Sequence, residues 1–465
     1  MTGFLLFGLT VLLAPHAARR PTFAPMHTLD QLRNGRLHGL KRLDLSTGLT
    51  EFPREIFALA DTLEVLNLSG NALSALPDDL PRLHQLQVLF CSDNQFTEVP
   101  AVLGQCPRLS MVGFKANRIR TLPGTALPPQ LRWLILTDNE LGELPPEIGS
   151  CQQLQKLMLA GNRLTELPKT LARCTNLELL RIAANQLTEL PTWLLALPRL
   201  AWLAYAGNPF AGAAEARAVA RHPIRRIDWA ELSIEQQLGE GASGVIYRAR
   251  WTHPGAAPAE VAVKIFKGAV TSDGLPHSEM AACISAGPHP NLIAVRGKIS
   301  QHPTGAEGLV LELIDPSFGN LAGPPSLASC TRDVYTAGTE FRLETALRIA
   351  AGVASAAAHL HTQGILHGDL YAHNILNTAA GAALLGDFGA ACFFAPGASA
   401  TATAPQQLEV RAFGCLLEEL LEHCPETDAA PAAGEALWAL QRRCVQPQVS
   451  ARPLFGEIVR VLEEL

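Results

Sequence analysis

The sequence predicts an α/β chain in two parts, a solenoid of short repeats followed by a bilobal α+β domain. Over the first half, leucine and asparagine return together with a period of about 23 residues, the length of a stacked strand-and-turn unit. In the second half a glycine-rich turn comes first, then the short strand Val261-Ala-Val-Lys264, a strand ending at Glu312, and the long alanine-rich, helix-prone stretch from Phe341 to His361. At 465 residues the chain has room for two or three domains with sizeable cores.

Composition narrows the class of partner. With 37 basic against 43 acidic residues, nothing marks a surface for nucleic acid or anionic membrane, which leaves small molecules and proteins. The 10 cysteines form no Cys-x-x-Cys and no Cys/His cluster. Cys106, Cys151 and Cys174 each precede a repeat-starting leucine at the same spacing, so they read as reduced core residues of a cytoplasmic protein. Residues 1–25 contain an apolar run, Phe4 to Pro15, that lacks a positive charge before it and has Arg19-Arg20 after it, the reverse of a secretory leader. At about 12 residues it is also shorter than the ~20 a bilayer requires. The expectation is that Met26 is the true start, that residues 1–25 are a non-native extension, and that the chain has no membrane span.

The repeats begin after an N-terminal cap at 26–39. Leu63, Leu86, Leu109, Leu131, Leu154, Leu177 and Leu200 keep step with Asn71, Asn94, Asn117, Asn139, Asn162, Asn185 and Asn208, and Leu40 to Pro53 is a further, shorter unit. Within one unit Leu154, Leu157 and Leu159 point inward from a short strand, and the asparagine satisfies backbone groups at the turn. No unit buries that face alone, so stacking is obligatory and the asparagines form a structural ladder. Over residues 40–210 the pattern resembles the leucine-rich repeat family.

The outward strand positions are unusually apolar: Val88 and Phe90, Met111 and Gly113, Trp133 and Ile135, Lys156 and Met158, Leu179 and Arg181, then Trp202. An apolar stripe on a concave face is expected to take a protein partner through Phe90, Met111, Trp133, Ile135, Met158 and Trp202. The alternatives are that this chain's own second domain covers the stripe, or that the stripe is simply tolerated.

Residues 211–226, rich in alanine and arginine, read as a capping helix and link into the second domain, 227–465. Its chemistry centres on His367-Gly-Asp-Leu-Tyr-Ala-His-Asn374, followed by Asp387-Phe388-Gly389 at the end of an apolar run. Phosphoryl transfer from ATP requires a carboxylate beside the attacking hydroxyl and oxygen ligands for Mg²⁺. Asp369 is the candidate base, and Asn374 and Asp387 the candidate metal ligands. These motifs resemble the catalytic and metal loops of the protein kinase family, with Gly368 the one mismatch in the first.

The upstream order agrees. Leu238-Gly239-Glu240-Gly241-Ala242-Ser243-Gly244 would bring backbone amides to phosphate, with Ile246 and Ala262 covering the adenine. Lys264 would hold the α- and β-phosphates, Glu279 would pair with it, and by the resemblance Glu312 and Leu313 would meet the adenine. Asp369, Lys264 and Glu279 are therefore the expected catalytic set, with ATP and Mg²⁺ as cofactors. The whole chain is similar to leucine-rich repeat protein kinases of bacterial type, with a catalytic loop like that of tyrosine kinases.

Three departures qualify the resemblance. Gly368 replaces the arginine that holds a phosphorylated activation loop in many members, which removes that route of control. Glu409 stands where aspartate is usual and follows Asp387 closely, so the activation segment is cut short, and Arg452 lacks its usual glutamate partner. Tyr371 occupies the slot of a cation that neutralises the γ-phosphate, with His373 nearby; an unperturbed histidine, pKa about 6.5, is mostly neutral at pH 7, so slow turnover is expected.

The leading reading is an ATP-dependent protein kinase, for serine/threonine or tyrosine, whose repeats recruit substrate or restrain the enzyme. The alternative is a pseudokinase-like scaffold that binds nucleotide and protein but transfers little. A small-molecule kinase is a third, since His-Gly-Asp-Leu also occurs in antibiotic and choline kinases; the glycine loop, His289-Pro-Asn and Arg452-Pro argue against it.

Overall fold

The computed structural model describes residues 27–465 except 242, 254, 256, 269, 272, 396, 398–399 and 426–430. The expected extension 1–25, Met26 and the expected glycine-loop residue Ala242 therefore lie outside the described residues. Two compact units divide between Leu197 and Pro198.

The first unit opens on helix α1 (Leu29–Arg33). Its N-cap Thr28 hydroxyl accepts from the Gln31 amide and the Gln31 side chain accepts from the Thr28 amide, which closes two of the helix's unpaired donors at once. Seven three-residue strands follow: β1 (Arg42–Asp44), β2 (Val65–Asn67), β3 (Val88–Phe90), β4 (Met111–Gly113), β5 (Trp133–Ile135), β6 (Lys156–Met158) and β7 (Leu179–Arg181). They pair in parallel with no slip, so that Val65, Val88, Met111, Trp133, Lys156 and Leu179 fall in one row. The inward leucines Leu154, Leu157 and Leu159 are fully buried.

The asparagines hold each repeat to the one before. Asn139 accepts from the Ile119 amide at 2.9 Å and donates to the carbonyls of Phe114, Leu136 and Thr137 at 2.9–3.2 Å, so one amide serves groups of two repeats. Asn162 and Asn185 do the same one and two repeats on. The residue before each ladder asparagine lies in the left-handed region: Asp93, Ala116, Asp138 and Ala184 at φ 52–58°, and Gly70 and Gly161 at 70–74°. That turn aims the asparagine inward.

The outward stripe is not the open patch expected of it. Phe90, Met111, Trp133, Ile135 and Met158 are all buried. Within the stripe the Trp133 indole N–H lies 3.4 Å from Met158 Sδ, and the Lys156 ammonium sits 4.5 Å from the centre of the Trp133 ring. These side chains are therefore covered and not free on an open surface.

The second unit contains β8 (Trp202–Ala204), helix α2 (Gly212–Arg221), β9 (Arg226–Asp228), β10 (Leu232–Glu240), β11 (Gly244–Trp251), β12 (Ala259–Phe266), α3 (Pro276–Ala286), β13 (Val295–Ser300) and β14 (Gly308–Glu312). One sheet runs β10-β11-β12-β14-β13-β9, antiparallel except for the β13–β9 edge, and one of its faces packs Ile227, Leu232, Ala249, Val261, Val263, Ile299 and Val310 together. A smaller sheet joins β15 (Gly319–Asn320), β17 (Ile375–Asn377) and β18 (Ala383–Leu385). A third pairs β16 (Ile365–Leu366) with β19 (Cys392–Phe393).

Around these lie α4 (Leu343–Thr362), α5 (Ala400–Glu422), α6 (Pro431–Cys444) and α7 (Phe455–Glu463), with α4 packed on α7 and α5 on α6. The Gly/Pro-rich stretch between Asp315 and Gly338 is tied down: Arg332 pairs with Glu418 and Glu419 of α5, each at 2.7 Å. All cysteines are free, and all but Cys283 are buried. No helix of the described residues is long and apolar enough to cross a membrane.

Replacing Asn139 by alanine strands the buried Ile119 amide and three carbonyl contacts. It should lower unfolding free energy by about 1–3 kcal/mol, read as a shift of the urea midpoint for the first unit; an unchanged midpoint would contradict the ladder.

Candidate active site

The site is assembled where the larger sheet meets the loops of the smaller ones. Lys264 on β12 and Glu279 on α3 are both almost completely buried and joined as an ion pair. Burial works to lower the lysine's pKa, but the Glu279 and Asp387 carboxylates outweigh it and raise it, so Lys264 is a cation at neutral pH. Gly389 marks the junction: a side chain there would start 3.1 Å from Asp387 Oδ1 and 3.9 Å from Glu279 Oε2.

The glycine loop closes over the lysine. The Gly241 amide donates to the Gly244 carbonyl at 2.9 Å, and the Ser243 carbonyl accepts from Lys267 at 2.8 Å. Gly244 sits against β12, where a Cβ would fall 2.5 Å from the Ile265 carbonyl and 3.4 Å from Lys264 Cε, so the chain approaches there only without a side chain. Glu240 is fastened to Lys267. Leu238, Ile246, Ala262 and Leu313 gather in one apolar cluster with Ile314 and Leu376, a slot of the right character for a base.

Leu313 and Glu312 also line a cavity of about 500 Å³ that extends to Pro288, His289 and Phe318. The Glu312 amide already donates to Ala294 at 2.9 Å, so any adenine contact at that residue falls to its carbonyl.

The catalytic loop is held from inside. His367 is fully buried and bonds the Gly386 carbonyl through Nε2 at 2.7 Å, which ties the loop to the residue before Asp387. Asn374 donates to both the carbonyl and Oδ2 of Asp369, at 2.9 and 2.8 Å. The other atom of that amide, Asn374 Oδ1, is buried and accepts nothing among the described residues. An orphaned amide oxygen on a side chain bonded to the Asp369 carboxylate fits a magnesium ligand, since Mg²⁺ is usually held by one or two side chains plus substrate phosphates. Asp387 carries its side chain on a left-handed backbone, φ 53°, strain of the kind kept at functional sites. The Gly389 amide donates to its Oδ1 at 3.1 Å.

His373 is not the unperturbed histidine expected. It is buried, and Asp333 Oδ1 lies 2.7 Å from its Nδ1 while Asp333 Oδ2 takes its amide at 2.9 Å. Burial alone would lower its pKa, but the Asp333 bond and the charges of Asp333, Asp369 and Asp387 raise it. Its environment therefore favours the charged form more than an unperturbed histidine's would. Sequence reading missed Asp333 because it lies in the Gly/Pro-rich insertion, far from the loop in number.

Glu409, expected only as a substitute for aspartate, binds the Gly368 amide at 2.6 Å and His361 Nε2 at 2.7 Å. The Arg452 guanidinium bonds the carbonyls of Pro198, Gln407 and Gln446, and burial, with the nearby Arg411 charge, lowers its pKa to about 10.

A profile of protein tyrosine and serine/threonine kinases matches residues 232–413, and leucine-rich repeat profiles match 62–83, 129–187 and 152–210. The chain joins leucine-rich repeats to a protein kinase domain. It is similar to the serine/threonine-protein kinase mos of Gallus gallus, 29% identical over 39% of this chain and 55% of that protein. A probable serine/threonine-protein kinase, gdt4 of Dictyostelium discoideum, is 29% identical over 32% of this chain and 8% of its own length. The leucine-rich repeat and calponin homology domain-containing protein 1 of Mus musculus is 32% identical over 23% and 16%. The chain thus spans from under a tenth to about half of these relatives. Among the expected kinase residues, Lys264, Glu279, Asp369, Asn374 and Asp387 come together, and Leu238, Ile246, Ala262 and Leu313 form the slot beside them.

Glu409 gives the kinase domain an acid-sensitive tie. Burial would raise its pKa, but His361 and the Gly368 amide more than offset this and hold it below the ordinary value of 4.5. Its stabilisation is present above that value and is lost as pH falls through the lowered folded-state pKa. Glu409→Gln should therefore be less stable than wild type at pH 7, with the gap closing below about pH 4.5 in urea unfolding; a gap constant with pH would remove the charge from the account.

Proposed function

We propose that the chain is an ATP- and Mg²⁺-dependent protein kinase, with the repeats as its protein-recognition module. The observation that supports this best is the orphaned Asn374 Oδ1 beside Asp369, in a site where Asp387 faces the buried Lys264–Glu279 pair.

In this reading Asp369 accepts the proton of the attacking protein hydroxyl as its oxygen bonds to the γ-phosphorus and the bond to the β,γ-bridging oxygen breaks, with ADP leaving. Lys264 holds the α- and β-phosphates, and Glu279 keeps the ammonium aimed at them. Asn374 and Asp387 provide the metal's protein oxygens, and bound Mg²⁺ would neutralise charge on the transferred group. The glycine loop from Leu238 to Gly244 covers the phosphates, and Leu238, Ile246, Ala262, Leu313 and the Glu312 carbonyl receive the adenine. His373, bonded to Asp333 and with its pKa raised, is the residue that would offer positive charge in place of Tyr371. The free, buried cysteines suit a reducing, ATP-containing compartment such as the cytoplasm.

The second reading, a scaffold that binds nucleotide and transfers little, is favoured by one feature: Tyr371, two places after the base, is stacked under an indole at 4.2 Å and offers no charge. Purified chain with Mg²⁺ and labelled ATP separates the two. Wild type should label itself or a general protein substrate, and Asp369→Asn should lose about 100-fold or more of that rate while still binding nucleotide. Nucleotide binding without transfer by wild type would select the scaffold, and equal labelling by the variant would overturn Asp369 as base.

A further inference from the structure

The segment that ends the repeat pattern in sequence, Pro198 to Tyr205, packs within the second unit against the loops that carry Asp369 and Asp387. Trp202 is 2% exposed; its indole N–H donates to the Leu370 carbonyl at 3.0 Å and its ring lies flat on Tyr371, 4.2 Å between centres with 4° between planes. Leu370 and Tyr371 directly follow Asp369. Tyr205, kept protonated by burial, donates to the Phe393 carbonyl at 3.3 Å, and the Cys392 thiol donates to the Leu203 carbonyl at 3.6 Å. Phe393 and Cys392 form β19, which pairs with β16 immediately before His367.

Two departures from the kinase pattern belong to the same contact. Gly368 stands at φ 74°, and a Cβ on it would fall 2.9 Å from the Leu203 carbonyl and 2.5 Å from that of Ala390, so an arginine there and this strand exclude each other. Arg452, without its carboxylate, bonds the Pro198 carbonyl at 2.7 Å. Farther along, the Ser278 hydroxyl, adjacent to Glu279 on α3, donates to Glu215 of α2 at 3.1 Å, and β9 extends the sheet beside β13.

We infer that Trp202 and Tyr205 are positioning residues for the catalytic loop, so that the working catalytic domain begins at Pro198 and not at the strand before the glycine loop. Trp202 holds the backbone just after Asp369 and Tyr205 holds β19, two fixings that do not depend on a phosphorylated activation loop. The inference rests on the reading of Asp369 as the base, and its test has one readout that does not.

The full chain is compared with Trp202→Ala, Trp202→Phe and Tyr205→Phe by steady-state phosphotransfer and by amide hydrogen exchange. Trp202→Ala should speed exchange in peptides covering 367–374 while the glycine loop and the first unit keep wild-type protection. It should also lower kcat on the order of 100-fold with KM for ATP little changed. Trp202→Phe, which keeps a ring on Tyr371 and loses only the bond to Leu370, should recover most of both. Tyr205→Phe should loosen 392–394 first.

Wild-type exchange and kcat in Trp202→Ala would overturn the inference, as would a loss of protection spread evenly over the whole second unit, which marks a general packing role. If wild type transfers no phosphate yet Trp202→Ala still loosens 367–374 alone, the positioning stands and the kinase reading falls.

Discussion

The second unit depends on one buried charge pair. Lys264 and Glu279 come from a strand and a helix, both nearly without solvent, and neither ion is tolerable there alone: removing one partner of such a pair typically costs about 3–5 kcal/mol. The pair fixes α3 against the sheet and leaves the ammonium facing Asp387, whose charge raises the lysine pKa further. The glycine loop is tailored to the same point, since Gly244 is pressed against β12 beside Lys264. Ile246, Ala262 and Leu376 gather in an apolar cluster of their own, and Lys264 of the same strand as Ala262 carries the charge.

The departures from the kinase pattern, taken singly, look like losses, and in the structure each has a substitute. The missing arginine at Gly368 makes room for the Leu203 carbonyl, and the backbone amide of Gly368 is held by Glu409. The missing carboxylate at Arg452 is replaced by three carbonyls, a weaker arrangement for a guanidinium and consistent with its lowered pKa. Near Tyr371, where the cation is missing, lies His373, bonded to Asp333 and with its pKa raised. The backbone around Asp369 is held by neighbours within the unit, Glu409 on the Gly368 amide and Trp202 on the Leu370 carbonyl.

What could be read from the sequence was whatever a short local pattern specifies. A ladder asparagine follows a left-handed turn and closes bonds to its own and the adjacent repeat, so its period is visible in the chain itself. The glycine loop and the two catalytic motifs are equally local, and in the structure Gly244 lies by Lys264, Lys264 pairs with Glu279 and Asn374 bonds Asp369. Trp202 was legible as an outward strand residue but not as the partner of Leu370 and Tyr371, because its bond to Leu370 joins positions 168 apart and nothing near either residue announces it. Asp333 and His361 were missed for the same reason, each pairing across 40 or more positions with a residue whose own motif was read without them. The apolar stripe was legible only in part: a strand's alternation identifies which residues face away from the repeat core, but burial of that second face is decided by what packs on it.

The claim on which the account turns is that Lys264, Asp369, Asn374 and Asp387 form one pocket for a nucleotide and its metal. Calorimetric titration of ATP into the full chain, with and without Mg²⁺, tests it directly in wild type and Asp387→Asn. The account predicts that Mg²⁺ tightens ATP binding by wild type and that this gain disappears in the variant while metal-free binding persists. Absence of ATP binding, or an affinity indifferent to Mg²⁺ in wild type, would contradict it.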